Sequence, residues 1–555
     1  MAGELREVIR EMVEGWCRER GDSVCRVDDG FLERQVKVAE RISRSEGLVV
    51  LRAPTGLGKT EMWAAPFFAQ WRVGEWFAPR MYVVEPMHAL LRQMSRRMKV
   101  YAKTTAHEVT VGEDHGEAPS DVYLYTAVVT LTTVDALVYG YLAQRVYKWW
   151  ERGAERGYYT LPSGLLTSAY VVFDEAHLVQ DEFYLGPRVL GEVVCDLVEA
   201  GGKVVLSTAT LPTAYLKYFR CFEGRNLIDV DGPDRRVDVE IREEILTVEG
   251  LNKEVNCRLR SLVIVNTIAK ARELYKGVRC GRKAVVHSLV RKADREAALE
   301  AVKEGGVLIG TQSLEVGLDL DFDVLYTELS PIDSLIQRLG RIGRRGPGRA
   351  VVFRAEGPEP YLEELVERTA SVVSSNPSGL NKWGFVKESV DEVYDGKIVE
   401  RMAVAGDVMY GEALAYMSEL SLFSYPPRRE VPLRPTNYAL IYIVEGQRRS
   451  TVKREEMMEG IVKFSYRRYS GSRLEAFLQK LQGKIFVVER VEGDYVVLKE
   501  AKAREGGSPG DELVVFTSDL GDLYDEAGVA VELLASVVAA EDTRRRRGRR
   551  SKKRG

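Results

Sequence analysis

Residues 48–60 read Leu-Val-Val-Leu-Arg-Ala-Pro-Thr-Gly-Leu-Gly-Lys-Thr: an apolar run, a loop of small residues, then the start of a helical pattern. A loop of this kind aims successive backbone N–H groups at phosphate oxygens and sets the anion at a helix N-terminus. Thr55, Gly56, Gly58, Lys59 and Thr60 are therefore the candidate nucleotide-binding residues. Lys59 is expected to reach the β- and γ-phosphates of ATP and the Thr60 hydroxyl to ligate Mg²⁺. Ala53 stands where the pattern G-x-x-x-x-G-K-[ST] has its first Gly, and Ala is small enough to permit the turn.

Two further segments complete a phosphoryl-transfer chemistry. Tyr170-Val-Val-Phe-Asp-Glu-Ala-His177 ends a strand in adjacent carboxylates. Asp174 is expected to hold Mg²⁺ through its waters, and Glu175 to orient and polarise the attacking water. The segment Ile336-Gln-Arg-Leu-Gly-Arg-Ile-Gly-Arg-Arg345 supplies Arg338, Arg341, Arg344 and Arg345. If two domains clasp one nucleotide, Arg341 and Arg344 can neutralise charge developing on the γ-phosphoryl group. The alternative for Arg344 and Arg345 is a basic helix face touching nucleic acid.

These segments need elements to carry them. From residue 31 to about 215, short apolar runs alternate with amphipathic helical patterns, with strands expected at Leu48–Ala53, Met81–Glu85, Tyr123–Thr130, Tyr170–Asp174 and Val204–Ser207. After the polar stretch Asp229–Arg236 a second set follows: Leu262–Asn266, Ala284–His287, Val307–Gly310, Val324–Thr327 and Ala350–Phe353. Such alternation predicts parallel sheets covered by helices on both faces. The expected fold class is α/β, two tandem parallel-sheet domains followed by a mixed α+β accessory domain. The expected boundaries are an N-terminal extension over 1–30, domains over 31–228 and 229–360, an accessory domain over 361–542, and a disordered basic tail over 543–555. A helix over Tyr361–Val373, a loop over Ser374–Gly379 and strands at Ala439–Val444, Lys484–Val488, Tyr495–Leu498 and Glu512–Phe516 are expected within the accessory domain.

Composition excludes several function classes. The chain has 555 residues, too many for a single small fold, and its 45% hydrophobic and 29% charged residues exclude a disordered or fibrous protein. The net charge of −3 conceals an asymmetry: Thr543–Gly555 carries nine Lys or Arg and no acid, leaving 1–542 at −12. Any nucleic-acid affinity must be local. The six cysteines are scattered, with no pair at the two-residue spacing of a zinc knuckle, so neither a metal cluster nor a disulfide framework is expected. No apolar run approaches membrane-spanning length and the N-terminus lacks a secretory core, so a cytoplasmic protein without membrane association is expected. Seven Asn and ten Gln against abundant Arg, Glu and Val fit a thermophilic source.

Together these blocks, over roughly residues 31–355, resemble a superfamily 2 helicase with two RecA-like domains. Gln35, in Phe31-Leu-Glu-Arg-Gln35, looks like that family's adenine-reading glutamine. Tyr82-Val-Val-Glu-Pro-Met-His-Ala-Leu90 and Val129-Thr-Leu-Thr-Thr-Val-Asp135 look like its DNA-tracking segments, and Ser207-Thr-Ala-Thr210 like its coupling motif. The resemblance implies nucleotide contacts from Gly317, Asp319, Gln337 and Arg338. It implies nucleic-acid contacts from Pro86, His88, Thr132, Thr133, Asn266, Thr311 and Gln312. Thr311-Gln-x-x-Glu-x-Gly-Leu-Asp-x-Asp-Phe-Asp323, followed by Thr327-Glu-Leu-Ser-Pro-Ile-Asp-Ser-Leu-Ile-Gln-Arg338, resembles the signature helicase of type I CRISPR interference. That helicase commonly carries an HD-type metal nuclease domain at its N-terminus. Here only thirty residues precede the helicase pattern, and none of the five histidines (His88, His107, His115, His177, His287) is followed by Asp. The chain therefore resembles the helicase-only version, whose nuclease is a separate polypeptide.

The resemblance implies an ATP- and Mg²⁺-dependent translocase on single-stranded DNA, moving 3′ to 5′, with a separate HD-type nuclease subunit and a guide-RNA surveillance complex as partners. The alternatives are a general superfamily 2 helicase in repair or RNA metabolism, and a nucleotide-gated nucleic-acid-binding switch that never unwinds. Lys148-Trp-Trp-Glu-Arg-Gly-Ala-Glu-Arg-Gly-Tyr-Tyr159 is either a base-stacking platform or a buried helix extension, and Lys463-Phe-Ser-Tyr-Arg-Arg-Tyr469 either touches a strand or is an exposed β-segment.

Overall fold

The computed structural model describes residues 2–21, 29–115, 126–142, 161–181, 184–315, 320–344, 346–423, 438–465, 471–501 and 513–534. The stacking-platform candidate over 148–159, the Tyr466–Tyr469 part of the second aromatic and basic patch, Gly317, Asp319, Arg345 and the basic tail lie outside them.

Two parallel sheets carry the first 360 residues. The first has seven strands, β1 (Leu48–Arg52), β2 (Met81–Glu85), β3 (Val111–Glu113), β4 (Val129–Thr133), β5 (Tyr170–Phe173), β6 (Lys203–Thr208) and β7 (Phe222–Asp229), in the order β3-β4-β2-β5-β6-β1-β7. The second has six, β8 (Val237–Ile245), β9 (Arg260–Ile264), β10 (Lys283–Val286), β11 (Gly306–Gly310), β12 (Val324–Glu328) and β13 (Gly348–Arg354), in the order β10-β11-β9-β12-β13-β8. Every pairing in both sheets is parallel. The central strands are buried throughout because helices cover both faces, which is why they read as continuous apolar runs rather than alternating ones.

The structure adds strands that the sequence pattern hides. β3 is three residues long, and β7 and β8 are edge strands whose polar, partly exposed residues break the apolar run. The strand expected at Tyr123–Thr130 lies further on, at Val129–Thr133, and residues 121–125 are outside the described set.

The N-terminal extension contains a helix, Ala2–Arg20, whose apolar face (Leu5, Val8, Ile9, Met12, Trp16) enters the core on one side of the first sheet. It packs against the helices Lys59–Val73 and His88–Thr105. Beyond β13 the chain divides in two. Helices Glu363–Ser375, Trp383–Val393, Gly396–Ala405 and Asp407–Phe423 bury Leu365, Val373, Trp383, Val390, Val399 and Tyr416 in a core continuous with both parallel-sheet domains. The loop expected over Ser374–Gly379 instead runs from the end of the first of these helices into a 3₁₀ turn at Pro377–Asn381. A separate mixed sheet follows: β14 (Tyr438–Val444), β15 (Thr451–Lys453), β16 (Ile461–Ser465), β17 (Phe486–Glu492), β18 (Tyr495–Glu500) and β19 (Leu513–Phe516), ordered β15-β18-β17-β19-β14-β16 with β14 and β19 parallel and the other pairs antiparallel. It has cores of its own on its two faces.

The cysteine expectation is overturned. Cys195 pairs with Cys221 and Cys257 with Cys280, with Cα–Cα distances of 5.3 and 5.5 Å, inside the range a disulfide needs. Separations of 26 and 23 residues carry no local signature, so only the packing of a helix against the turn that enters β7, and of two loops, brings these thiols together. Among the described residues no cluster of His, Cys, Asp and Glu suits a metal ion, and no helix is long and apolar enough to cross a membrane.

Candidate functional site

β1 delivers the chain into a loop at the carboxyl edge of the first sheet, and β5 delivers Asp174 to the same edge, with β6 between them. Gly56 (φ 83°) and Gly58 (φ 64°) take left-handed conformations that turn the loop into the helix Lys59–Val73. Gly58 has a second constraint. A Cβ there would sit 2.3 Å from the Gln35 amide nitrogen, which donates to the Gly58 carbonyl at 3.3 Å. Gln35, the candidate adenine reader, is buried and holds the loop through this bond.

Lys59 lies buried at the mouth of the loop, its Nζ 3.4 Å from the Ala53 carbonyl and 4.0 Å from Glu175 Oε1. Burial disfavours charge on Glu175, but Lys59, Arg341 and Arg344 outweigh it and hold the carboxyl below its usual range. Asp174 goes the other way: burial and the charge of Glu175 push it up to about 6, against the pull of Lys59. Asp174, a buried carboxylate, and the Thr60 hydroxyl in the first turn of the helix Lys59–Val73 are hard-oxygen donors of the kind a divalent ion suits. Thr60 Oγ1 already accepts from Arg97 Nη1 at 3.2 Å, and Arg97 also donates to Glu61 Oε1 at 2.5 Å and to the Tyr101 hydroxyl at 2.6 Å. Trp16 of the N-terminal helix lies against the Arg97 guanidinium at 5.7 Å. Glu85, at the end of β2 beside Asp174, is fully buried; burial and then the charges of Asp174 and Glu175 hold it well above the usual carboxylate range.

Motif residues from the second domain meet this edge. Gln337 Nε2 lies 3.1 Å from His177 Nε2, and His177 Nδ1 lies 3.2 Å from Thr208 Oγ1. With the Gln337 amide donating, His177 carries its proton on Nδ1 and passes it towards Thr208, the second residue of the coupling motif. Burial lowers the pKa of His177, so the ring is neutral. Arg341 is buried and grips the Glu315 carbonyl, with Nε at 2.9 Å and Nη2 also donating. Arg344 is exposed, its Nε 2.8 Å from the Gly340 carbonyl.

Arg338, expected to contact nucleotide, turns into its own domain. It is fully buried inside the second domain, donating to Glu315 Oε1, Thr327 Oγ1, the Glu328 carbonyl, Asn266 Oδ1 and the Tyr361 hydroxyl at 2.8–3.0 Å. A guanidinium has five N–H donors, and here each has its acceptor. Arg338 thus braces the segment that presents Arg341. The candidate nucleic-acid residues are also drawn inward. The Thr132 hydroxyl donates to the Asp114 carbonyl at 2.7 Å, the Thr133 hydroxyl caps the helix Val134–Tyr141, and Pro86 is buried. Asn266 is held by Glu328, Leu329 and Arg338, Gln312 donates to the Asn266 carbonyl at 3.1 Å, and Thr311 is buried. Buried polar side chains must be satisfied, and the Thr132 and Thr133 hydroxyls and the Asn266 and Gln312 amides are engaged within the protein. His88 is half-buried with Nδ1 3.1 Å from His115 Nδ1. Sequence reasoning missed Arg97, Glu85 and Arg235, none of which has a local motif around it.

Comparison with known proteins fits this geometry. Residues 33–218 match the model of the DEAD/DEAH box helicase family, and residues 258–347 match the model described as CRISPR-associated nuclease/helicase Cas3, C-terminal. The chain is 47% identical to the CRISPR-associated helicase Cas3 of Thermoproteus tenax, over 98% of this chain and 99% of that one. The chain belongs to the Cas3 helicase family. Its fold is that of Cas3 crystal structures: the T. fusca Cas3 structure superposes with a TM-score of 0.60 at 16% identity, covering 82% of this Cas3 chain and 65% of that one. A chain in a structure described as a CRISPR RNA-guided surveillance complex, pre-nicking, superposes at TM-score 0.54 and 18% identity, covering 87% of this chain and 66% of that one. This Cas3 helicase therefore spans less than two thirds of the length of either structure, and carries the superfamily 2, ATP-binding helicase pattern of its family.

Proposed function

We propose that this Cas3 helicase hydrolyses ATP with Mg²⁺ to translocate along single-stranded DNA and unwind target DNA in CRISPR interference. It works with a guide-RNA surveillance complex and a nuclease supplied as a separate subunit. The observation that carries the reading is the His177–Gln337 contact, which ties the Asp174–Glu175 segment of one parallel-sheet domain to the arginine segment of the other at 3.1 Å. Two domains joined there close or open with the state of the phosphates between them, and alternating closure moves a strand bound across both.

In this reading the loop amides after Ala53 and Lys59 hold the β- and γ-phosphates. Thr60 and Asp174 would hold Mg²⁺, which would offset phosphate charge. Glu175, kept ionised by the surrounding cations, orients the attacking water, and Arg341 and Arg344 meet the charge that develops on the γ-phosphoryl group.

A strand-displacement assay tests it. The purified chain is expected to hydrolyse ATP faster when single-stranded DNA is present, to displace a paired strand, and to leave the DNA uncut with Mg²⁺, Mn²⁺ or Ni²⁺ until a separate nuclease is added. ATP turnover without displacement would favour the nucleotide-gated switch, and cleavage that persists in Lys59→Ala would show a nuclease centre in this chain.

A further inference from the structure

Residues 230–236 cross from the first sheet to the second and leave a guanidinium beside the phosphate loop. Arg235 Nη2 donates to Thr55 Oγ1 at 2.6 Å. The crossing segment is pinned along its length. The Val230 N–H bonds the Arg52 carbonyl at 2.9 Å, and Gly232 packs so closely on Pro54 that an added Cβ would lie 2.6 Å from its Cγ. At the far end, the Arg235 N–H donates to the Asn381 carbonyl at 3.0 Å. The Asn381 side chain bonds Val237 in both directions, accepting from its N–H at 3.1 Å and donating to its carbonyl at 2.8 Å. Arg235 is therefore a placed side chain.

What surrounds it is unfavourable for a cation. Burial, and after it the charge of Arg344, lower the Arg235 pKa to about 10, and among the described residues no carboxylate pairs with it. Arg341 is pushed to about 10 in the same way, by burial and Arg344, with Glu175 and Glu315 opposing and Arg235 adding to the repulsion. On the loop itself, Gly340 packs against the same Thr55 hydroxyl, at 3.2 Å from an added Cβ. Three arginines from two separate segments thus converge, mutually repelling, on a loop whose amides already favour an anion. A site of like charges held together at a cost to the protein is built for a ligand of opposite charge.

We propose that Arg235 is a third arginine of the nucleotide site and binds the terminal phosphate of a nucleoside triphosphate. Without nucleotide its fork rests on the Thr55 hydroxyl. With a triphosphate in the loop, the guanidinium engages phosphate oxygens in the paired geometry that Arg alone provides. Because Arg235 sits in the segment that joins the two sheets, the phosphate is felt directly by the interdomain connection and, through Asn381, by the helices after β13. A diphosphate lacks the group that Arg235 meets, so this residue confers discrimination between the two nucleotides. The proposal rests on the nucleotide reading of the Ala53–Thr60 loop.

The test uses the full chain as native protein, Arg235→Gln, Arg235→Lys and Lys59→Ala. Each is titrated with a non-hydrolysable ATP analogue and with ADP in the presence of Mg²⁺, and assayed for DNA-stimulated ATPase. Arg235→Gln is expected to weaken binding of the analogue about tenfold or more while changing ADP affinity less than about twofold. Arg235→Lys should recover part of that loss, since it keeps the charge and loses the fork. If Arg235→Gln does not fold, Arg235→Lys carries the test with a smaller loss in the same direction. Native discrimination between the two nucleotides in the Arg235 variants, alongside a Lys59→Ala protein that binds neither, overturns the proposal and leaves the loop reading standing. A Lys59→Ala protein that binds both nucleotides normally overturns the loop reading and the proposal with it.

Discussion

Gln337 of the second parallel-sheet domain meets His177 of the first across the domain boundary, Nε2 to Nε2 at 3.1 Å, with both side chains buried. The ring continues to Thr208 on β6, so one hydrogen-bonded line runs from the arginine segment to the strand between β1 and β5. A buried line of this kind has two settings, made or broken, which suits it to report domain closure.

If that line couples the domains, His177→Ala and Gln337→Ala should each lower DNA-stimulated ATPase about tenfold, the scale of one buried hydrogen bond, and the double variant should be little worse than either. Steady-state turnover of the three variants provides the cycle. Strict additivity would show that the two residues act separately.

Lys59→Ala and Asp174→Ala should each abolish ATP hydrolysis without unfolding the protein. For Asp174 the nucleotide-free chain should even gain stability at pH 8. Its pKa is raised from 3.8 to about 6, so the native state favours the protonated form, and stability present at low pH is lost as pH rises through about 6. Thermal melting without nucleotide, native against Asp174→Asn at pH 5 and pH 8, should show an advantage for the variant that is about twice as large at the higher pH.

His287 provides a pH effect of opposite sign, far from the phosphate loop. It is buried, with Nε2 3.0 Å from the Ala527 carbonyl and Nδ1 accepting from the Leu289 N–H at 3.3 Å, and burial lowers its pKa from 6.5 to about 3. The neutral ring therefore contributes stability that is present above pH 6.5 and is lost as pH falls towards 3. Between pH 7 and pH 5 the loss should be about 2 kcal/mol, at about 1.4 kcal/mol per pH unit below 6.5. Denaturation midpoints at the two pH values should move less in His287→Gln, and equal movement would remove this residue from the account.

Arg272 holds the last described segment onto the second domain. Its fully buried guanidinium bonds Asp525, Glu532 and the carbonyls of Ala527 and Gly528 at 2.7–2.9 Å. Arg272→Ala leaves the Ala527 and Gly528 carbonyls without this donor and Asp525 and Glu532 to Lys276, at a cost of about 3 kcal/mol, the low end for a broken buried pair because the two carboxylates keep contact with solvent and with Lys276. Faster amide exchange over 513–534, with exchange in β1 and β5 unchanged, is the expected reading.

The sequence by itself determined the small-residue loop between β1 and its helix, the place of Asp174 and Glu175 at the end of β5, and the two tandem parallel sheets. Each is a local matter: small residues permit the turn after β1, and four- to six-residue apolar runs suit strands covered on both faces. It did not separate Arg338 from Arg341, which stand three apart on one short segment. Only the tertiary structure shows that Arg338 is consumed by Glu315, Thr327, Glu328, Asn266 and Tyr361 while Arg341 faces the other domain. The disulfides, the inward turn of Thr132 and Asn266, the joining of residues 363–423 to the helicase core, and Arg235 against Thr55 were decided there too. Each depends on partners brought together from distant parts of the chain, and burial, not spacing along the sequence, sets which polar group each of these side chains must answer.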